Sequence, residues 1–397
     1  MIFTDNLSMK VCIVTPEFPP AQWGGLARTV RRVSLCALAM GLDVHVAHFT
    51  VVDAPLVLLD ENRVTEKIDG MTVHRLLVGR EDLAGRSSDL WEGLHNRTIK
   101  MMYQSLQMLD EDEGFELFHS FFLYPIGYIS GILAKKKGRP FIATIVGNDI
   151  NKYIFSPEKT AMCRSGLENA DCVAALSHDL LATANALVPV FQKGQVIYNS
   201  VSIPDEKWKG SQGPEGSFRI GCAGIFKYAK GLPYLFKAVD ELSMKYKVVL
   251  ELAGTIRDSE QEAFDLMLGR TAIGGRLVVR SPIPHNELTQ WLISLSAFVL
   301  PSLSEGCPNI LMEVMACGIP CVATKVGAVD ALMTDGLSGW VVPWGNARAL
   351  AQGLERIILA PDQGASLGAA AREAMRGFSA EREMQAWKGV YQRLLGI

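Results

Sequence analysis

No run in this sequence approaches the roughly 18 consecutive apolar residues that a membrane-spanning helix needs. Its first eight residues, MIFTDNLS, also lack the long apolar stretch of a secretory signal. Cysteine pairing is missing too. The eight cysteines (Cys12, Cys36, Cys163, Cys172, Cys222, Cys307, Cys317 and Cys321) are scattered through apolar context, as reduced core residues are, and not in a disulfide framework. Cys317 and Cys321 flank a Gly-Ile-Pro turn, but no second pair accompanies them, which sets a zinc site aside. An excess of charge is absent as well: the net charge is -3 and the pI near 6.2, against general nucleic-acid binding. No short repeat, no G-x-G-x-x-G and no D-x-D at a strand end is found, which weakens dinucleotide and metal-diphosphate readings. These absences point to a cytoplasmic chain, with peripheral attachment to the inner face of a membrane left open.

What is present is a long chain, 397 residues, 49% hydrophobic and with 36 Gly. Single cores stop growing near roughly 250–300 residues, so two domains are expected. Lys10–Thr15 (KVCIVT) is a short β-rich apolar run, the mark of a buried parallel strand. A loop over Pro16–Gly25, a helical period over Leu26–Met40 and a second strand at Val44–Phe49 complete a βαβ unit. Further strands are expected at Glu116–His119, Phe141–Val146 and Cys172–Leu176. A second series follows at Arg219–Ala223, Val248–Ala253, Arg276–Val279, Ala297–Leu300, Pro320–Ala323 and Gly339–Val342. Strands alternating with helices imply parallel sheets covered on both faces. The polar Gly- and Pro-rich stretch Pro204–Gly216 reads as a linker. Two Rossmann-like domains with sheets facing across a cleft are therefore expected, over 1–205 and 206–378. Helices at Ala365–Arg376 and Glu381–Leu395 end the chain, and 379–397 can return to the first domain.

Charge runs read as helix ends. Asp110–Glu113 (DEDE) precedes Gly114 and reads as a solvated terminus in preference to a metal site. Lys135–Lys137 suits a last helical turn before Gly138. Arg28, Arg31 and Arg32 share one helical face, either solvated or a patch for an anionic acceptor or lipid.

The most informative stretch is Pro301–Thr324, PSLSEGCPNILMEVMACGIPCVAT. Pro308 suits a first helical turn and Gly318 with Pro320 stops the helix, so Pro308–Cys317 is a short, nearly all-apolar helix. Asn309 and Glu313 share one face, and Glu305 sits in the loop ahead of the helix's positive end. Acids in so apolar a setting need partners. A ligand carrying both negative charge, for the N–H groups of Gly306, Cys307, Asn309 and Ile310 in the turn through Pro308, and hydroxyls, for the two carboxylates, would supply them. A nucleoside diphosphate-sugar has both. The plain alternative is that Glu313 meets a protein cation and Glu305 is a solvated loop acid.

Here the sequence resembles the retaining glycosyltransferases of family four (group one), which have the GT-B fold. The match runs through Ser304-Glu305-Gly306, Glu313 to Gly318, Pro320 to Thr324, Val326-Gly327 and Asp335-Gly336 with Gly339, and is fainter but colinear elsewhere. Gly24-Gly25 before the first helix resembles the family's glycine loop, where backbone can approach a diphosphate. Lys230-Gly231 matches a family Lys-Gly that supplies positive charge to the leaving diphosphate. The family's arginine falls on Ile225, so Lys227 is a candidate to take its role. Glu116 to His119 resembles the D-x-x-H strand end. Ala143 to Asp149 resembles A-T-x-H-G-x-D with Val146 in place of the histidine, which leaves Asn148, Asp149 or His119 for sugar contacts. Asn199 resembles the family's I-x-N-G-V-D asparagine.

The resemblance implies transfer of a sugar from a UDP- or GDP-sugar to an acceptor hydroxyl with retention. The implied roles are Lys230 and Lys227 on the diphosphate, Glu305 on the sugar and Glu313 on the ribose, with neither metal nor cofactor. The acceptor would be a carbohydrate or a lipid-linked molecule in cell-surface polysaccharide or glycolipid assembly. A nucleotide-sugar epimerase on the same fold and a non-catalytic nucleotide-sugar binder are the alternatives.

Overall fold

The computed structural model describes residues 8–20, 24–52, 57–79, 88–210, 213 and 216–397. The chain forms two compact units, one of Met1–Ile197 with Glu383–Ile397 and one of Tyr198–Arg382.

The first unit opens with β1 (Lys10–Thr15), α1 (Gly25–Ala39) and β2 (Asp43–Val52). Residues Arg63–Ile68 (β3) and Met71–Gly79 (β4) form an antiparallel hairpin, turned at Asp69 (φ 51°) and Gly70 (φ 86°). Then come α2 (Ser88–Glu113), β5 (Leu117–Phe121), α3 (Tyr128–Lys137) and β6 (Phe141–Ile145). The short α4 (Asn148–Asn151), α5 (Pro157–Asn169), β7 (Cys172–Ala175), α6 (His178–Leu187) and β8 (Gly194–Val196) complete the run. The eight strands lie in the order β3-β4-β2-β1-β5-β6-β7-β8, parallel except for the hairpin. Its apolar core includes Val11, Ile13, Val30, Val33, Leu117 and Phe121, and α14 (Ala380–Leu395) adds Trp387, Val390 and Tyr391.

The second unit begins with β9 (Phe218–Phe226), α7 (Leu232–Ser243), β10 (Val248–Ile256), α8 (Gln261–Leu268), β11 (Leu277–Arg280) and α9 (His285–Ile293). It continues with β12 (Ala297–Leu300), α10 (Asn309–Cys317), β13 (Cys321–Thr324), α11 (Val329–Leu332) and β14 (Trp340–Val342). Two helices, α12 (Ala347–Leu359) and α13 (Pro361–Met375), follow. All six strands are parallel, ordered β11-β10-β9-β12-β13-β14. The order reverses between β9 and β12, and ligands of doubly wound sheets bind beyond the carboxyl ends of strands at such a reversal.

All six expected strands of the second unit are present within a few residues. In the first unit β3, β4 and β8 went unforeseen. The eight cysteines are buried and unlinked. Lys135, Lys136 and Lys137 do occupy the last turn of α3, ahead of left-handed Gly138. The DEDE run is a correction: Asp110 is only 6% exposed, accepts from the Phe115 amide and pairs with Lys137 at 3.3 Å. Glu113 pairs with Lys10 at 3.1 Å. Ending α2 against the start of β1 draws these acids in toward cations. On α1, Arg31 pairs with Asp69 at 2.7 Å and Arg32 with Glu383 at 2.5 Å, so these two serve intramolecular contacts. Among the described residues no helix is long and apolar enough to cross a membrane.

Candidate active site

In the second unit, the chain leaving β9 turns through Tyr228–Lys230 and enters α7 past Gly231, whose φ of 68° suits glycine. A Cβ at Gly231 would lie 2.0 Å from the Pro301 carbonyl oxygen, so only glycine lets this turn press against the chain leaving β12. The Leu303 amide donates to the Ala229 carbonyl at 2.8 Å and ties the two loops together.

This seam brings Lys230 to Glu305. The Lys230 Nζ donates to Glu305 Oε1 at 2.6 Å, and Ser302 Oγ donates to the same oxygen at 2.7 Å. The side chains are 19% and 14% exposed, a pair largely withdrawn from water. Burial works against the lysine's charge, yet the Glu305 carboxylate outweighs it and holds the Lys230 pKa above its ordinary value. Lys230 is therefore an ammonium at neutral pH, resting beside Gly224 at the end of β9. Glu305 is thus no solvated loop acid.

The Glu305–Asn309 loop is held from two sides. Ala328 N donates to Gly306 O at 2.9 Å, and a Cβ on left-handed Gly327 would lie 2.5 Å from the carbonyl oxygens of Glu305 and Gly306. From the other side, buried Asn199 donates Nδ2 to Asn309 Oδ1 at 2.8 Å and to Cys307 O at 3.5 Å. Pro308 caps α10, and Gly306, Cys307 and Pro308 are buried beneath its amino end. Glu313, half-buried, lies one turn along from half-buried Asn309 and Ile310. Lys230, Glu305 and the start of α10 are therefore gathered at the carboxyl ends of adjacent β9 and β12. Gly327→Ala is expected to lower unfolding stability by at least about 1–3 kcal/mol, as a urea titration would show.

Other expected site residues fall elsewhere. Lys227 lines, with Phe226, Tyr228, Leu232, Ile256 and Phe264, a cavity of about 150 Å³. Ile225, at the family's arginine position, is exposed. In the first unit, Gly24 caps α1 and Gly25 opens it, an amide-rich helix start.

His119 and Asp149 are corrections, because both are consumed by the first unit's interior. His119 is wholly buried, with Nδ1 2.7 Å from Tyr391 Oη and Nε2 2.7 Å from Thr144 Oγ1. Burial lowers its pKa to about 3, so it is a neutral core group with no nitrogen left for a sugar. Asp149, also wholly buried, accepts from the amides of Leu123, Val146, Gly147 and Ile150. It shapes the loop after β6; burial raises its pKa to about 6 against the pull of those amides. Asn148 opens α4, and its side chain lies outside the described residues. The role of Asn199 in bracing the α10 entry was visible in sequence only as a motif letter.

The family described as "Glycosyl transferases group 1" has a sequence model that matches residues 217–359, the span that contains this site. An uncharacterized glycosyltransferase of Methanocaldococcus jannaschii is 25% identical over 285 residues, covering 72% of this chain and 77% of the relative. Among solved structures, sucrose-phosphate synthase of Thermosynechococcus elongatus superposes with a TM-score of 0.77 at 20% identity, covering 98% and 99% of the two chains. The Anabaena protein HepE, solved in complex with UDP-glucose, gives 0.71 at 17% identity, covering 97% and 100%. The fold of this chain is GT-B.

Proposed function

We infer that this chain, a relative of the group 1 glycosyltransferases, moves a sugar from a nucleoside diphosphate-sugar to an acceptor hydroxyl with retention of anomeric configuration. The observation that carries the reading is the buried Lys230–Glu305 pair set beside the start of α10. In the reaction the bond from the anomeric carbon to the diphosphate oxygen breaks, and a bond to the acceptor oxygen forms on the same face. The departing phosphate oxygen takes the acceptor's proton, so no protein nucleophile is needed. What the site must supply is stabilisation of charge growing on the diphosphate. Lys230 brings a fixed ammonium, and the α10 amides bring aligned dipoles, a preorganised environment that does not reorient during bond cleavage.

Glu305 keeps Lys230 in place through Oε1, and its role toward the donor is to accept from a sugar hydroxyl through Oε2. Glu313, one turn and more into the helix, takes the ribose hydroxyls. Lys227, at the head of the same turn, is the candidate for a second positive charge toward the diphosphate. The HepE complex with UDP-glucose supports a uridine diphosphate donor. Because Lys230 and the helix start supply the positive charge, neither divalent metal nor cofactor is required. The family resemblance supports a carbohydrate or lipid-linked acceptor in cell-surface polysaccharide or glycolipid assembly, at the cytoplasmic face of a membrane.

The test is incubation of the full chain with a panel of UDP- and GDP-sugars, with and without acceptor extracts and with EDTA present. Slow release of UDP or GDP, quickened by extract and lost in Glu305→Ala, is expected. Tight nucleotide-sugar binding without turnover would make the chain a binding protein, and formation of an epimer without acceptor would make it an epimerase.

A further inference from the structure

The first unit carries a second constellation that this chemistry does not use. At the end of its sheet where β1, β2 and β4 begin, three side chains converge beneath the end of α2. His45 Nδ1 lies 2.9 Å from His74 Nε2 and 3.8 Å from a Glu113 carboxylate oxygen, and the ligand atoms of the trio all fall within 4.8 Å of one another. His45 and His74 are 4% and 1% exposed, so their ring nitrogens must find polar partners within the protein.

We propose that His45 Nδ1, His74 Nε2 and a Glu113 carboxylate oxygen bind a divalent transition-metal ion of the zinc type. Two ligand atoms on a tetrahedral zinc lie about 3.3 Å apart, given metal–ligand distances near 2.0–2.1 Å. The observed 2.9 and 3.8 Å bracket that spacing, so small side-chain rotations seat the ion. The outward nitrogens are already fixed: His45 Nε2 is 3.4 Å from Asp43 Oδ2, and His74 Nδ1 is 3.1 Å from Thr65 Oγ1. Such outer partners set the tautomer of a metal-binding histidine. Ion binding requires the tautomers whose N–H groups turn outward to Asp43 and Thr65; the two inner nitrogens then face each other as lone pairs, an arrangement that a cation reconciles.

Lys10 Nζ, 3.1 Å from Glu113 Oε2, is also 3.1 Å from the Glu113 main-chain carbonyl and keeps that bond when an ion takes the carboxylate. Glu113, 27% exposed, leaves a fourth position for water on its solvent side. Two nitrogens and one carboxylate oxygen suit zinc, cobalt(II) or nickel(II) better than magnesium or calcium. The ion would clamp β2, β4 and the end of α2 together, a structural role separate from the transfer chemistry of the second unit.

The experiment is metal titration of the chelator-stripped full chain. Cobalt(II) is followed by its visible absorption, and zinc by competition with a chromophoric chelator. One equivalent is expected to bind, with a rise in melting temperature. His74→Asn should abolish uptake, and Asp43→Asn should weaken it about 10- to 100-fold. Glu113→Gln, at a partly exposed position and therefore expected to fold, must also weaken binding; if it folds and binds like wild type, the trio is wrong. Absence of stoichiometric uptake by wild type overturns the proposal. So does undiminished uptake by the His45→Asn/His74→Asn double variant, which would place the ion elsewhere.

Discussion

Lys230→Ala is expected to lower kcat about 100- to 1000-fold, the usual cost of removing one donor from a preorganised electrostatic site, while donor KM changes far less. The asymmetry follows from when the ammonium matters. In the resting site Lys230 already has Glu305 as its counterion at 2.6 Å, so ground-state binding gains little from it. As the anomeric bond stretches, the phosphate oxygens acquire charge that the ammonium can meet with its remaining N–H donors. Glu305→Gln should also cost activity, and the double variant should be little worse than Lys230→Ala alone, because residues acting as a unit are not additive. Lys230→Ala also leaves a largely buried carboxylate that Ser302 still donates to but that has lost its lysine counterion, so folding must be checked by circular dichroism before rates are compared. Steady-state kinetics at saturating donor would decide. Retention of kcat within tenfold would remove Lys230 from the reaction.

Trp387→Ala is expected to lower the stability of the first unit by about 3–5 kcal/mol, the range for emptying a large buried aromatic site. Trp387 is 1% exposed and packs against His119, 5.0 Å between ring centres, and Phe121, 6.4 Å. Its loss also loosens Tyr391, whose hydroxyl meets His119. Trp387→Phe keeps most of the volume and should cost much less. Thermal and urea unfolding of the two variants, with Lys230 and Glu305 intact, would show a drop graded by volume. Equal losses would mean that the helix is held by something other than this packing.

The sequence was most legible where one physical signal dominated. Buried parallel strands such as Lys10–Thr15 and Ala297–Leu300 are continuous apolar runs, and the structure places both as read. β3 escaped because Arg63–Ile68 is largely solvent-facing, with charged residues and no apolar face. The Asp69-Gly70 turn, with both φ angles positive, was the hairpin signal available there. β8 is three half-buried residues, too few for a period. At the site, Lys230 and Glu305 stood out because glycines and a helix start framed them. That they touch could not be seen, since 75 residues separate them and it is the β9–β12 pairing that sets their loops side by side. His119 and Asp149 misled for the opposite reason. A strand-end histidine or aspartate looks alike in sequence whether it faces a ligand or the interior, and Tyr391, which claims His119, is 272 residues away. His45 and His74, 29 residues apart, form no motif at all; sheet geometry alone brings them together.

Because the first unit is closed by residues that follow the second unit in sequence, its assembly has a timetable. A ribosome delivers residues 1–197 first, then all of Tyr198–Arg382, and only afterwards Trp387, Val390 and Tyr391. Until then the nascent amino-terminal half presents an uncovered greasy slot around Phe121, with Tyr391 not yet there for His119. Residues made after the second unit, not before it, therefore seal the first.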